Sequence, residues 1–340
     1  MPALVQTKAI LRCQSVTRAI SEGSRAAQRR RQPLHLPARP IDGTRKSDWS
    51  YATRSLASRA ALTNSGDTRV WLITGASSGF GRAITEAALS RGDSVAAGVR
   101  SAVAFGGLPD GVHPLALDVT IPDQREAAVA ETLDRFGRLD VLVNNAGRTQ
   151  VGAVEETTDE ELRSLFELHF FAPAALTRLV LPHMRRQGGG AIVQMSSVGG
   201  QTTAPGFGAY CATKFALEGL TETLRDEVAG FGIVTLIVEP GAFRTGLFRP
   251  GAAYESDAMP EYAETVGPTR AYVRGNDGLQ PGDPAKAAQA ILAVLDADEP
   301  PLRLVLGADA IENIEQRLER ISDELAIWRA VGEATAVDER

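Results

Sequence analysis

Tyr210 and Lys214 stand four residues apart in Tyr210-Cys211-Ala212-Thr213-Lys214, and Ser197 lies thirteen residues before the tyrosine. On a helix, positions i and i+4 share a face, so a phenol and an ammonium project into the same space. A cation beside a phenol stabilises phenolate and draws a pKa of about 10 toward the working range, which makes the tyrosine a usable general acid or base. Ser197 follows the apolar run Ala191 to Met195, at what reads as the carboxyl end of a strand. Upstream, Thr74-Gly75-Ala76-Ser77-Ser78-Gly79-Phe80-Gly81 places three glycines directly after another apolar run. Glycines there let the backbone turn tightly and approach a pyrophosphate held by the free N–H groups of a helix N-terminus. Taken alone, such a turn equally serves plain helix-to-strand packing.

These groups need a frame. From Arg69 onward, short apolar runs alternate with helical spacing: Arg69 to Thr74, Ser94 to Val99, Val112 to Leu117, Leu139 to Val143, Ala191 to Met195, Ile233 to Val238 and Leu302 to Leu306 read as strands. Such alternation predicts an α/β fold, a Rossmann-type doubly wound parallel sheet of about seven strands with helices on both faces, in a single domain over residues 69–340. Doubly wound sheets bind ligands at the carboxyl ends of their strands, where Ser197 and the glycine turn both fall. Thr158 with Glu161 forms a capping-box pattern that starts a long helix through His169. Ile311, Ile314, Leu318, Ile321, Leu325 and Trp328 have the spacing of a terminal helix expected to dock on the body.

The composition narrows the class. The 340 residues carry a net charge of −6 and 44% hydrophobic residues, which excludes a disordered or fibrous chain and gives no reason to expect nucleic acid as partner. Residues 1–68 hold 12 basic and four acidic residues, a balance of +8 that leaves −14 on the remainder. This head reads as a disordered extension. Its first 21 residues contain no acid, as in a mitochondrial transit peptide, but Arg18 falls beside Leu11 on a helical projection, so basic and apolar faces do not separate. Cys13 and Cys211 are the only cysteines and the four histidines share no short spacing, so neither a disulfide framework nor a metal site is expected, and a reducing compartment, the cytoplasm, is the default. Apolar runs such as Ile233 to Val238 fall far short of the roughly 20 residues that span a bilayer.

Taken together, the turn spaced T-G-x-x-x-G-x-G, Asn144-Asn145-Ala146-Gly147, Ser197 with Y-x-x-x-K, and Pro240-Gly241 with Thr245 resemble the short-chain dehydrogenase/reductase family over residues 69–310. The resemblance implies hydride transfer between a nicotinamide and a carbonyl or alcohol carbon. Ser197 would hold the substrate oxygen, Tyr210 would exchange its proton, and Lys214 would lower the tyrosine pKa and contact the nicotinamide ribose. It further implies that Gly75, Ser77, Ser78, Gly79, Phe80 and Gly81 cradle the cofactor, with Asn145, Ala146 and Gly147 on the adenine-ribose side. Asp118 would meet the adenine ring, unless it is only a turn residue at a strand end, and Pro240, Gly241 and Thr245 would meet the nicotinamide. The family's usual helix Asn is replaced here by His169. Pro173, four residues on, has no N–H to give the His169 carbonyl, so a role through that carbonyl is expected, with the side chain secondary.

NAD-preferring relatives carry an acid at the end of the second strand, where this chain has Val99, Arg100 and Ser101; with no carboxylate to repel a phosphate and a guanidinium to grip one, the expected cofactor is NADP. Between Thr245 and a helix near Asp283 runs a lid with Phe248, Tyr254, Met259, Tyr262 and Tyr272, which points to a hydrophobic substrate if those residues do not merely pack the lid down. The run Tyr210 to Thr245 most resembles the steroid- and retinol-dehydrogenase-like branch. Relatives commonly assemble as dimers or tetramers through the long helices, and Leu176, Leu179 and Leu217 could serve that interface or the core. Two rival readings are a catalytically silent NADP-binding sensor or scaffold, against which the complete Ser197, Tyr210 and Lys214 set counts, and a sugar-nucleotide epimerase, whose glycine spacing and C-terminal domain would differ.

Overall fold

The computed structural model describes residues 68–337, so the expectations for the basic head, targeting and disorder alike, lie outside the described residues. The seven expected strands are all present: β1 (Val70–Thr74), β2 (Ser94–Val99), β3 (His113–Ala116), β4 (Val141–Asn144), β6 (Gly190–Met195), β7 (Ile233–Pro240) and β9 (Arg303–Leu306). They form one parallel sheet in the order β3-β2-β1-β4-β6-β7-β9. The order reverses between β1 and β4, which opens a crevice at the carboxyl edge.

Alternate residues of each strand feed two cores, as the two-residue strand period requires. Trp71, Ile73, Val141 and Val143 face helices α1 (Gly79–Ser90) and α7 (Pro284–Leu295), while Leu72, Leu142 and Ile192 face α2 (Pro122–Phe136), α4 (Ala172–Gln187) and α5 (Gly208–Val228). Helix boundaries follow local chemistry. Pro122 starts α2 and Gly137, at φ 75°, stops it; Thr158 and Glu161 make the full reciprocal capping box at the start of α3 (Asp159–Phe166).

Between α3 and α4 the residues Glu167–Phe171 form a π-turn in which the Ala172 N–H bonds to the Glu167 carbonyl. The missing N–H of Pro173 explains why the ladder slips here. The helical run Asp159–Gln187 is long and apolar enough to cross a membrane by length and composition, yet its Leu176, Val180 and Met184 are buried against the sheet.

Two strands are additions to the expected set. β5 (Thr149–Val151) and β8 (Ala253–Glu255) pair in parallel as a separate ribbon, pairing Gln150 with Tyr254, and a further helix, α6 (Gly267–Gly275), follows. The last helix, α8 (Ala308–Glu333), docks on the body at its start, where Ala310 and Ile314 are buried.

Candidate active site

The carboxyl ends of β1, β4, β6 and β7 bring the expected catalytic residues to one place. Ser197 caps the short turn after β6 and its Oγ accepts from the Gly199 N–H at 3.1 Å; the same hydroxyl hydrogen-bonds to the Tyr210 phenol. Lys214, one helical turn beyond Tyr210 on α5, lies 5.7 Å from the tyrosine ring centroid and donates from Nζ to the Met195 carbonyl at 2.8 Å. Burial pushes the Tyr210 phenol up to about 12, with the Ser197 hydrogen bond pulling the other way. Desolvation outweighs that hydrogen bond, so the phenol is protonated at neutral pH. Burial also lowers Lys214 to about 8, with Glu218 opposing that shift.

His169 sits in the π-turn and is 1% exposed, its ring edge-on to Tyr210 at 5.6 Å. The Arg148 backbone N–H donates to its Nε2 at 3.2 Å, so Nδ1 carries the proton and faces Thr213 Oγ1 at 2.9 Å. Thr213 Oγ1 in turn donates to the Tyr210 carbonyl at 2.7 Å. Burial, with Lys214 and Arg148 nearby, holds the imidazole well below its usual pKa, so it is neutral. The side chain thus ties the turn after β4 to the helix that carries Tyr210. That is more than the secondary part expected of it.

The residues expected to face a nucleotide converge on the same edge. Gly75 and Gly79 adopt φ of 66° and 53°, which side chains disfavour, and a Cβ on Gly81 would strike the Gly75 carbonyl. Asn145 locks this turn, donating from Nδ2 to the Thr74 carbonyl at 2.8 Å, while the Ala146 N–H reaches Thr74 Oγ1 at 3.0 Å. Gly147 lies against the His169 ring, Phe80 stacks on Phe243 at 5.2 Å, and a Cβ on Gly79 would meet Thr245 at 3.0 Å. Ser78 is the N-cap of α1 with no side-chain cap, leaving first-turn N–H groups for an anion beside Ser77. Gly241 bonds to the Leu306 carbonyl at 2.8 Å, after Pro240 ends β7. Asp118 closes its own turn, Oδ1 accepting from the Thr120 N–H at 2.9 Å. Arg100 is exposed at the end of β2, in no ion pair among the described residues.

Residues 69–255 match the family of short chain dehydrogenases. The chain is a short-chain dehydrogenase. A solved short-chain dehydrogenase from Streptomyces avermitilis shares 55% identity with it at a TM-score of 0.75, over 80% of this chain and all of that one. A short-chain dehydrogenase from Burkholderia cenocepacia in complex with NADP is 25% identical (TM-score 0.58, 80% of this chain, 99% of that one). One from Burkholderia phymatum in complex with NAD is also 25% identical (TM-score 0.68, 77% and 97%). The protein is therefore an oxidoreductase of the type that works with NAD or NADP.

Sequence reasoning missed a buried cluster of charged side chains behind Lys214 in this dehydrogenase. Glu218, one turn beyond Lys214, accepts from Ser196 Oγ at 2.6 Å; Glu239, at the end of β7, accepts from Gln201 Nε2 at 2.7 Å. Arg303 Nε lies 3.4 Å from Glu218 and 3.1 Å from Glu239. Burial raises both carboxyls, Glu239 to about 7 with its neighbour Glu218 adding to the shift, so the pair shares a proton near neutrality. The i+4 spacing from Lys214 was the only signal that could have pointed to Glu218.

The lid of the dehydrogenase is pinned by ions. Arg270 pairs with Glu156 at 2.7 Å and Glu255 at 3.0 Å, and Arg274 pairs with Glu255 at 2.7 Å. The Met259 N–H donates to Glu156 Oε1 at 2.8 Å, and the Tyr262 hydroxyl to Glu155 at 2.5 Å. Phe248 and Tyr262 pack with Val151, Val266 and Val273; Tyr254 receives the Arg148 guanidinium on its face at 4.1 Å; Tyr272 meets Phe248 edge-on at 5.9 Å. Much of the aromatic content therefore fastens the lid to the body.

Proposed function

We propose that the protein is an NADP-dependent carbonyl reductase and alcohol dehydrogenase for hydrophobic small molecules. The observation that carries this reading is the Ser197, Tyr210 and Lys214 cluster at the mouth of the glycine turn. Bound cofactor supplies or accepts the hydride. Ser197 holds the substrate oxygen, Tyr210 gives it a proton during reduction, and Lys214 holds positive charge beneath the phenol. Neutral His169 fixes the register between the turn after β4 and α5. The glycine turn fits a dinucleotide because positive φ at Gly75 and Gly79 and the close backbone approach at Gly81 set the uncapped first-turn N–H groups of α1 where a pyrophosphate would bind.

The preference for NADP rests on Arg100, exposed at the end of β2 beside Ser101 with no carboxylate at either position or at Val99. A guanidinium there is matched to a 2′-phosphate. The aromatic residues that the lid leaves partly exposed, Phe248, Tyr254 and Tyr272, favour a hydrophobic carbonyl, in keeping with a steroid- or retinol-like substrate class. The enzyme would assemble through α4 and α5, where Phe171, just before α4, and Phe215, on α5, are exposed. The test is NADPH consumption with ketones, quinones and steroids, alongside titration of both cofactors. NADPH should bind at least tenfold more tightly than NADH, and Arg100→Ala should remove the difference; equal affinities in the unaltered enzyme would sink the NADP assignment.

A further inference from the structure

Helix α8 carries one apolar stripe along its whole length. Ile311, Ile314, Leu318, Ile321, Leu325 and Trp328 recur at alternating steps of three and four residues, the spacing by which one helix packs on another. The stripe is used only at its start. Ile314 is 6% exposed against the body, whereas Leu318 is 56%, Ile321 42%, Leu325 62% and Trp328 65% exposed. With Val331, these four side chains offer roughly 500 Å² of apolar surface, so a symmetric pair would bury about 1,000 Å², the lower edge of stable interfaces. We infer that this face is a dimerisation arm, occupied by α8 of a second copy running antiparallel.

Charge and geometry choose that occupant. Helix α8 carries seven carboxylates against three guanidinium groups, which disfavours an anionic membrane or a nucleic acid on its flanks. A parallel pair is barred because the body already fills the stripe at Ile314. The longest antiparallel register that leaves Ile314 alone sets Leu318 against Trp328 of the other copy and Ile321 against Leu325. Gly332 then falls opposite Ile314, where the other body stands and a side chain would be excluded. Glu315 meets Arg329 of the second copy twice in this register; among the described residues Arg329 otherwise pairs only with Glu333 of its own helix, at 3.3 Å. Glu324 meets itself at the solvent-exposed rim, where the cost is small. Asp309, at the root of the same helix, accepts from the Ala242 N–H at 2.8 Å, so the arm is anchored to the segment after Pro240 and Gly241.

The experiment measures the mass of the full-length protein by sedimentation equilibrium across a wide concentration range. Leu325→Glu, at an exposed position, should halve the mass of the assembly while leaving the fold and turnover intact. Glu315→Arg and Arg329→Glu should each weaken association by roughly tenfold, and the double variant should restore it. An unchanged mass for Leu325→Glu overturns the arm and leaves the face to another segment or partner. Failure of the double variant to rescue overturns the antiparallel register.

Discussion

The nucleotide half and the substrate half of the crevice are built by opposite means. The first is made of backbone and small residues: the turn Thr74 to Gly81, braced by Asn145 at 2.8 Å and by Ala146. Its geometry is written locally, in glycines that tolerate positive φ and close approach. The second is made of charged side chains that meet across the chain, with Arg270 reaching Glu156 over 114 residues and Ser256 reaching Glu161 over 95. On the proposed function, the cofactor would be met by a local turn and the substrate by a ribbon and helix that long-range contacts hold in place.

Tyr210 stands where the two halves meet, and its removal should have the largest effect. Tyr210→Phe keeps the ring against His169 but deletes the proton donor, so carbonyl reduction should fall roughly 10³-fold while NADPH binding is kept. Single-turnover kinetics with a fluorescence titration checks both. In the unaltered enzyme, reduction should decline as pH rises through about 8, where Lys214 loses its proton, whereas the phenol itself is still protonated there. A pH profile flat through that range would show that the ammonium is not needed.

Gly81→Ala tests the backbone-built half. The new methyl meets the Gly75 carbonyl and Asn145, so the turn must open. A displacement of about 1 Å at the phosphates should cost roughly a hundredfold in cofactor affinity, with the lid unaffected. If calorimetry showed unaltered NADPH binding, the local character of that half would be refuted.

What the sequence revealed divides along the same line. All seven strands of the main sheet were legible because buried parallel strands are nearly continuous apolar runs, and the Thr158 and Glu161 cap was legible because its chemistry is local. The β5 and β8 ribbon was not, since three-residue strands carry no readable period and each finds its partner about 100 residues away. Glu218 and Glu239 read singly as ordinary carboxylates, and only the fold places them together with Arg303. The stripe on α8 was visible, but periodicity shows that a helix has an apolar face and not what covers it.

Arg270→Ala probes the ion-built half. It takes the guanidinium from Glu156 and leaves that carboxylate to its two backbone donors, Ala153 and Met259, at a local cost of about 1–3 kcal/mol. The expected result is a KM for the carbonyl substrate raised roughly tenfold with the NADPH dissociation constant unmoved. Equal losses in both would mean that the halves are coupled and the contrast between them is too sharp.

The smallest effect belongs to the carboxyl pair behind Lys214. Glu239 has a folded pKa of about 7, above its unfolded value, so the folded state binds the proton more tightly. The stability this contributes is present in full below the unfolded pKa and is lost as pH rises through about 7. Arg303 and nearby solvent soften the loss to about 1 kcal/mol, or a few degrees in Tm, between pH 5 and 8. Glu239→Gln keeps an oxygen to accept from Gln201 but cannot ionise, so its Tm should vary less with pH over that range than that of the unaltered enzyme. Should the two curves run parallel, Glu239 does not hold the shared proton, and Glu218 beneath Lys214 must carry the titration alone.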